Sequence, residues 1–133
     1  MTKPKASTEK KKAIKAFNQF IRESEGYKCF ICGAPGDRYS TDAGHLITAA
    51  REATRFDELN THCSCKGCNI KHEFDYEPYR KAFVEEYGES VYDELYTHSF
   101  EYVGRRAQDY IEIRKLYAEK LRLLRGSDGR CCV

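Results

Sequence analysis

Cys29-Phe30-Ile31-Cys32 and Cys65-Lys66-Gly67-Cys68 are two Cys-x-x-Cys pairs in a chain of 133 residues. Each pair can form a tight turn that points both sulfurs the same way, so two pairs can close a tetrahedral zinc site. The chain has seven cysteines, and their spacing is typical of metal binding rather than of a disulfide framework. A redox Cys-x-x-Cys would be expected within a βαβ pattern, which this sequence lacks. The predicted ligands of a structural Zn²⁺ ion are Cys29, Cys32, Cys65 and Cys68.

One position of this ligand set stays open, because Cys63-Ser64-Cys65 offers two neighbouring thiols. Cys65 is preferred since it completes a Cys-x-x-Cys with Cys68. A zinc ion here would fix the base of residues 33–64, a segment rich in Gly, Thr and Asn that could not otherwise hold its shape. The two cysteines at positions 131 and 132 are predicted to belong to the tail.

Between and just after the two pairs lie Asp42, His45, Asn60 and Asn69. The order His, then Asn, then Cys-x-x-Cys-Asn resembles the motif of the HNH (ββα-metal) endonucleases. In particular, Asn60 lies nine residues before Asn69, which directly follows the second cysteine pair. Alone, each residue would be read as structural, since a lone Asn in a loop is usually a turn residue.

A narrower resemblance covers roughly residues 29–125. The segments DAGHLITAA, RFDELNTHC, CKGCN, YRKAFVEEYGESVYDEL and YAEKLRLLR are similar to the phage NinG (Rap) recombination nucleases. One segment departs, because the family pattern has a Ser-Gly-Asn turn soon after Cys-x-x-Cys-Asn, whereas residues 70–75 here read IKHEFD.

The resemblance implies a metal-dependent DNA endonuclease. A neutral imidazole titrates near working pH, so His45 is the candidate general base. A hard divalent ion, Mg²⁺ or Mn²⁺, takes oxygen ligands, for which Asp42 and Asn69 are the candidates. By resemblance, Asn60 bonds backbone groups and holds the loop that aims His45. On a helix, His72 and Glu73 would lie on the face of Asn69, and either could add a ligand.

Three functions remain open from the sequence. The resemblance favours cutting at branched recombination intermediates such as D-loops and four-way (Holliday) junctions. Ordinary duplex DNA, as cut by HNH nicking or restriction enzymes, is the alternative substrate. A zinc module that binds DNA without cutting it would need only the cysteines. Resolving a junction requires two symmetric cuts, so a homodimer is an expected assembly, and recombination proteins are possible partners.

Charge is divided along the chain although the net charge is only +2. Residues 1–28 and 102–133 are basic, whereas residues 73–101 carry two Lys/Arg against nine Asp/Glu. Basic ends are expected for a polyanion partner, although a solvated helix face gives the same pattern. Arg51 and Arg55 flank the site and could grip phosphates or pair with neighbouring acids. The remaining candidate DNA contacts are Lys10, Lys11, Lys12, Arg105 and Arg106.

Hydrophobic periodicity predicts α-helices on both sides of the loop-rich central segment. The resemblance implies an α+β fold in which a small ββα-metal (HNH) module, stapled by the zinc site, packs with these flanking α-helices. The predicted parts of one compact domain are a basic arm and helix (1–28), the nuclease module (29–75), a helical part (76–125) and a tail (126–133). A short hairpin is expected around Ala43 to Thr48. Helices are expected over residues 9–24, from about residue 68, and over 77–87, 89–97 and 103–125.

The helix over 103–125 carries an apolar row that repeats every seven residues, and we expect it to pack within the same chain rather than as a coiled coil. No apolar run approaches the roughly 20 residues of a membrane span. The lysine-rich start lacks the apolar core of a secretory signal. These features predict a cytoplasmic protein without membrane contact, in the host cytoplasm if it is encoded by a phage.

Overall fold

The computed structural model describes residues 2–127 of the chain. Within them the protein is a mixed α and β structure, as predicted. Its elements in chain order are α1 (Ala6–Ser24), β1 (Thr41–His45), α2 (Glu52–Arg55), a 3₁₀ turn (Glu58–Asn60), β2 (Thr61–Cys65), α3 (Lys66–His72), α4 (Glu77–Tyr87), α5 (Glu89–His98) and α6 (Ala107–Ser127). The chain separates into two compact units, one formed by residues 21–103 and one by the described parts of residues 1–20 and 104–133.

The two strands form an antiparallel sheet in which Thr41 lies opposite Cys65 and His45 lies opposite Thr61. The predicted hairpin around Ala43 to Thr48 is therefore wrong. The chain leaves the sheet after His45 because the Asn60 side chain pairs with the backbone of Ile47. Its amide oxygen accepts from the Ile47 N–H at 2.8 Å, and its amide nitrogen donates to the Ile47 carbonyl at 3.0 Å. With its backbone satisfied by a side chain, this segment needs no partner strand.

Helix α3 follows β2 without a linker. Cys65 ends the strand and caps the helix, since its sulfur accepts a hydrogen bond from the Cys68 N–H. The sequence placed this helix start about two residues too late. The order of strand, strand and helix is thus set within residues 41–72.

The core of the central unit lies where the chain leaves β1 and packs on α4 and α5. Its buried residues are Leu46, Ile47, Tyr79, Phe83, Tyr92 and Leu95. The Tyr79 hydroxyl also donates to the Gly44 carbonyl at 2.7 Å, which ties α4 to the strand. Gly88 separates α4 from α5 with φ of +96°, a conformation that favours glycine. Because α4 and α5 pack on the segment around β1, residues 29–75 do not form a unit of their own.

In the second unit, α6 packs on the first part of α1. The rings of Phe17 and Tyr117 meet edge to face with centroids 4.8 Å apart, and Ala13, Tyr110 and Leu121 are buried. The predicted packing of this helix within its own chain is confirmed, although the helix begins at residue 107 rather than 103. Its apolar row is therefore occupied by α1 and is not an open surface for a second copy.

No helix in the described part of the chain is both long enough and apolar enough to cross a membrane.

The core predicts a contrast between two phenylalanines. Phe83→Ala should lower the free energy of unfolding by about 3–5 kcal/mol, because it opens a cavity in a fully buried position. Phe74→Ala, at a side chain that is 84% exposed, should change it by less than about 0.5 kcal/mol. Urea unfolding followed by circular dichroism measures both. Equal effects of the two substitutions would contradict this core.

Candidate metal centre and active site

The four predicted zinc ligands come together. One sulfur from each of Cys29, Cys32, Cys65 and Cys68 lies within 4.8 Å of all the others, and this is the only such cluster of Cys, His, Asp and Glu ligand atoms found within residues 2–127. The Cys32 and Cys65 sulfurs are 3.9 Å apart. A tetrahedral ion with Zn–S bonds of about 2.3 Å separates its sulfurs by about 3.8 Å. The four thiols therefore fit a zinc ion.

Each pair forms the turn that such a site needs. The Cys32 N–H donates to the Cys29 sulfur at 3.5 Å, and the Cys68 N–H donates to the Cys65 sulfur at 3.4 Å. Burial alone would raise the pKa of Cys29, but hydrogen bonds from backbone N–H groups outweigh it and lower that pKa to about 7. This favours the thiolate form of Cys29, which is the form that binds a metal, whereas burial raises the pKa of the neighbouring Cys68 thiol.

Cys63 is not part of the cluster, so the choice of Cys65 is confirmed. Cys63 is fully buried, and burial raises the pKa of its thiol. Its backbone instead joins two segments. Its N–H donates to the Glu25 carboxylate at 2.7 Å, and its C=O accepts from the Phe30 N–H at 2.8 Å. This residue aligns the first cysteine pair with β2.

His62 has a structural role that no local sequence pattern marks. Its ring is buried, stacks on Phe30 at a centroid distance of 3.9 Å, and bonds Glu25 at 2.6 Å and the Leu59 carbonyl at 3.1 Å. One ring nitrogen thus faces the Glu25 carboxylate and the other faces the Leu59 carbonyl, so His62 joins the end of α1 to the start of β2. No local pattern marks a pair separated by 37 residues.

Asp42 and Asn69 meet on one face of the sheet. The Asn69 amide donates to the Asp42 carboxylate at 3.3 Å, and the Lys66 ammonium reaches the other carboxylate oxygen at 2.7 Å. A half-turn of the Asn69 amide would point its oxygen at Asp42, and a cation between the two oxygens would offset their repulsion. These two side chains supply the oxygen ligands that a hard divalent ion prefers.

Gly44 makes this approach possible. A Cβ at position 44 would lie 2.6 Å from the Ser64 hydroxyl and 2.9 Å from the Asn69 amide oxygen. The Ser64 hydroxyl is buried and has no hydrogen-bond partner among the described residues. An unpaired hydroxyl beside a carboxylate and an amide also fits a cation site. The requirement for glycine was not recognised from the sequence.

His45 ends β1 and lies three residues from Asp42, about 10 Å along the strand. Its Nε2 bonds the Arg55 carbonyl at 2.8 Å. Because a carbonyl only accepts, Nε2 carries the proton, and the lone pair of the neutral ring is on Nδ1. Burial lowers the pKa of His45 below its usual range. The ring is therefore neutral near pH 7, with Nδ1 as its basic atom.

Asn60 is buried and makes the contacts that the resemblance implied. Its amide accepts from the Ile47 N–H and donates to the Ile47 carbonyl. It also donates to the Thr54 carbonyl at 3.2 Å. The Thr54 carbonyl lies next to Arg55, whose own carbonyl binds His45. Asn60 thus fixes the loop that orients the imidazole.

His72 and Glu73 line the same cleft as His45, an open cavity of about 400 Å³. The His72 Nε2 donates to the Leu46 carbonyl at 2.8 Å, so its lone pair is on Nδ1. That atom is buried and unpartnered among the described residues. It is thus shielded from a hydrated ion, while the Glu73 side chain lies at the exposed end of α3.

The candidate DNA contacts divide between the two units. In the central unit, Arg51 donates to the Ser99 hydroxyl at 2.8 Å and Arg55 to the Ala49 carbonyl at 2.8 Å. The others lie in the second unit. Lys10, Lys11 and Lys12 belong to α1, within the range where a helix was expected, and Arg105 and Arg106 precede α6.

Comparison with known proteins gives the family. The sequence profile described as Bacteriophage Lambda NinG protein matches residues 1–127. This chain belongs to the NinG family. Protein ninG of Escherichia phage 933W is 34% identical over 119 residues, covering 88% of this chain and 58% of that relative. The values for protein ninG of Enterobacteria phage VT2-Sa are the same.

Protein ninG of Enterobacteria phage H19B is 38% identical over 88 residues, covering 64% of this chain and 43% of that protein. The chain therefore spans about half of the length of these curated relatives. No solved structure matches it.

The cysteine cluster predicts one zinc ion per chain. Cys29→Ser and Cys68→Ser should lose that ion and unfold or aggregate, because the metal closes the segment between the pairs. Cys63→Ser is the matched control, since it removes a buried thiol outside the cluster, and it should keep the zinc. Metal content by mass spectrometry measures all three. A folded wild-type protein without zinc would remove this assignment.

Proposed function

We propose that this NinG family member is a metal-dependent DNA endonuclease of the HNH (ββα-metal) type that hydrolyses phosphodiester bonds at branched recombination intermediates. The observation that carries the proposal is the state of His45. Its ring is tethered through Nε2 to the Arg55 carbonyl, and its Nδ1 lone pair belongs to a ring that lines an open cleft. A neutral imidazole held in one tautomer suits a general base.

The Asp42–Asn69 face supplies the second element of the site. A Mg²⁺ or Mn²⁺ ion held there would stabilise the charge that develops on the phosphate and its leaving oxygen. Asp42 and Asn69 would hold the ion, and Lys66, which now neutralises Asp42, would have to give way to it. Asn60 fixes the loop behind His45, and the cysteine cluster fixes the start of the helix that carries Asn69.

The two compact units differ in charge in a way that supports a DNA substrate. Residues 21–103 contain nine Lys/Arg and sixteen Asp/Glu, whereas residues 1–20 with 104–133 contain fourteen and five. Phosphate contacts from the basic unit would give affinity without sequence preference. Recognition of branched shape would then supply selectivity. Recombination proteins and a second copy of the chain are the further partners that this function would use.

A substrate panel tests the proposal. The full chain is offered linear duplex, flap, D-loop and four-way junction with Mg²⁺, with Mn²⁺ or with a chelator that leaves the zinc bound. We expect metal-dependent cleavage that favours the branched substrates. Equal cutting of all four would leave an HNH nicking or restriction-type nuclease. Tight DNA binding without any cutting would leave a non-catalytic zinc module and overturn the proposal.

His45 predicts the pH dependence. The base acts in its neutral form, so kcat/KM should stay high at neutral pH and fall only below about pH 6.5, since burial holds the His45 pKa under that ordinary value. His45→Ala should lower cleavage by about 10²–10⁴-fold and abolish this acid limb. Zinc content and DNA affinity should not change. An acid limb centred above pH 7 would rule out a buried, neutral His45 as the base.

The proposed metal ligands predict a separate loss of cleavage activity. Asp42→Asn or Asn69→Ala should retain the fold and the zinc but reduce cleavage by about 10²-fold or more, because a bound ion contributes several kcal/mol. The variants should also need more Mg²⁺ for half-maximal rate. Asp93→Asn, at an exposed position of α5, is the control and should behave as wild type. Unchanged metal dependence in Asp42→Asn would exclude Asp42 as a ligand.

A further inference from the structure

The cleft beside His45 has an aromatic side. Besides His45, His72 and Glu73, its lining includes Arg51, Tyr76 and Tyr96. Phe100 continues this side, since its ring meets that of Tyr96 edge to face with centroids 5.1 Å apart. We call Arg51, Tyr96 and Phe100 the aromatic ledge. None of the catalytic roles proposed above uses Tyr96 or Phe100.

Arg51 is held on this ledge by three contacts. Its guanidinium carbon lies 4.0 Å from the centroid of Phe100 and 5.7 Å from that of Tyr96. Its Nη1 donates to the hydroxyl of buried Ser99, which in turn donates to the Tyr96 carbonyl at 2.6 Å. A cation fixed in this way loses little further freedom when it binds a phosphate.

The aromatic rings themselves remain open to solvent. Phe100 is 60% exposed and Tyr96 is 44% exposed, so neither ring is part of the buried core. Rings with accessible faces can stack nucleic acid bases, and this stacking is largely independent of sequence. A fixed cation next to such rings matches the phosphate and the base of one nucleotide.

Charge argues for stacking rather than for a duplex lying across this surface. The unit that carries the ledge is strongly acidic, and Glu73 lines the same cleft. A full duplex backbone would be repelled there. A single nucleotide would be held by contact with the rings and by one cation. The acidic surroundings weaken such binding less than they weaken the binding of a duplex.

We propose that the aromatic ledge stacks an unpaired base of the DNA strand whose backbone enters the His45 cleft, an inference that rests on the proposed nuclease function. A paired base inside a duplex is covered on both faces by its neighbours and cannot stack on a protein ring. The ledge therefore selects strands with an unpaired or extruded base next to the cleavage point. Such bases occur at flaps, gaps and branch points.

Binding and fluorescence test this without requiring catalysis. The full chain is titrated in Ca²⁺ with a linear duplex and with the same duplex carrying a short flap, in which 2-aminopurine replaces the first unpaired base. Wild type should bind the flap more tightly and quench the 2-aminopurine. Phe100→Leu should weaken flap binding by about 5- to 150-fold, with less than a twofold change for linear duplex. Phe100→Tyr should restore both signals.

Tyr102→Ala is the matched control, because Tyr102 is 93% exposed and lies two residues from Phe100 but does not line the cleft. It should behave as wild type. Equal weakening on flap and duplex, or unchanged quenching in Phe100→Leu, would overturn the proposal. The nuclease assay tests the proposed function separately. A wild-type protein that quenches the 2-aminopurine but never cuts DNA would support base stacking on the ledge and contradict the nuclease function.

Discussion

The tie between the two cysteine pairs is the constraint on which the rest of the central unit depends. A two-stranded sheet with strands of five residues is marginally stable by itself. Cys65 is at once the last residue of β2, the cap of α3 and one of the four clustered thiols. A metal bound at this point would fix strand, helix and loop together, so the helix that presents Asn69 could not shift relative to the strand that presents Asp42.

The opposite end of the same segment is closed by a buried amide. Asn60 pairs with three backbone groups that lie up to thirteen positions before it in the chain. Burying its amide costs little free energy because both polar atoms of the amide are paired. The cysteine cluster and Asn60 therefore lie at the two ends of one sheet. One end positions Asp42 and Asn69, and the other positions His45.

The sequence predicted the parts of this arrangement that have a local signature. The cysteine spacing predicted which four thiols lie together, and apolar periodicity predicted the long helices. It misplaced the hairpin because Leu46 and Ile47 read as a continuing strand, whereas a side chain fifteen residues after His45 ends the sheet there. Three further contacts join residues that are far apart in the chain. They are the Glu25–His62 pair, the close approach of Ser64 and Asn69 to Gly44, and the stacking of Arg51 on Phe100. Pairings of this kind leave no periodic pattern to detect.

Two histidines of the cleft share one tautomer and differ in access. His45 and His72 both bond a backbone carbonyl through Nε2, so both have their lone pair on Nδ1. The Nδ1 of His72 is buried, between rings that include Tyr76 and Tyr79. Water must reach the lone pair of a general base before a proton can be transferred. Access therefore distinguishes the two imidazoles. Under the proposed function it makes His45 the base, while His72 braces α3 against the segment that follows β1.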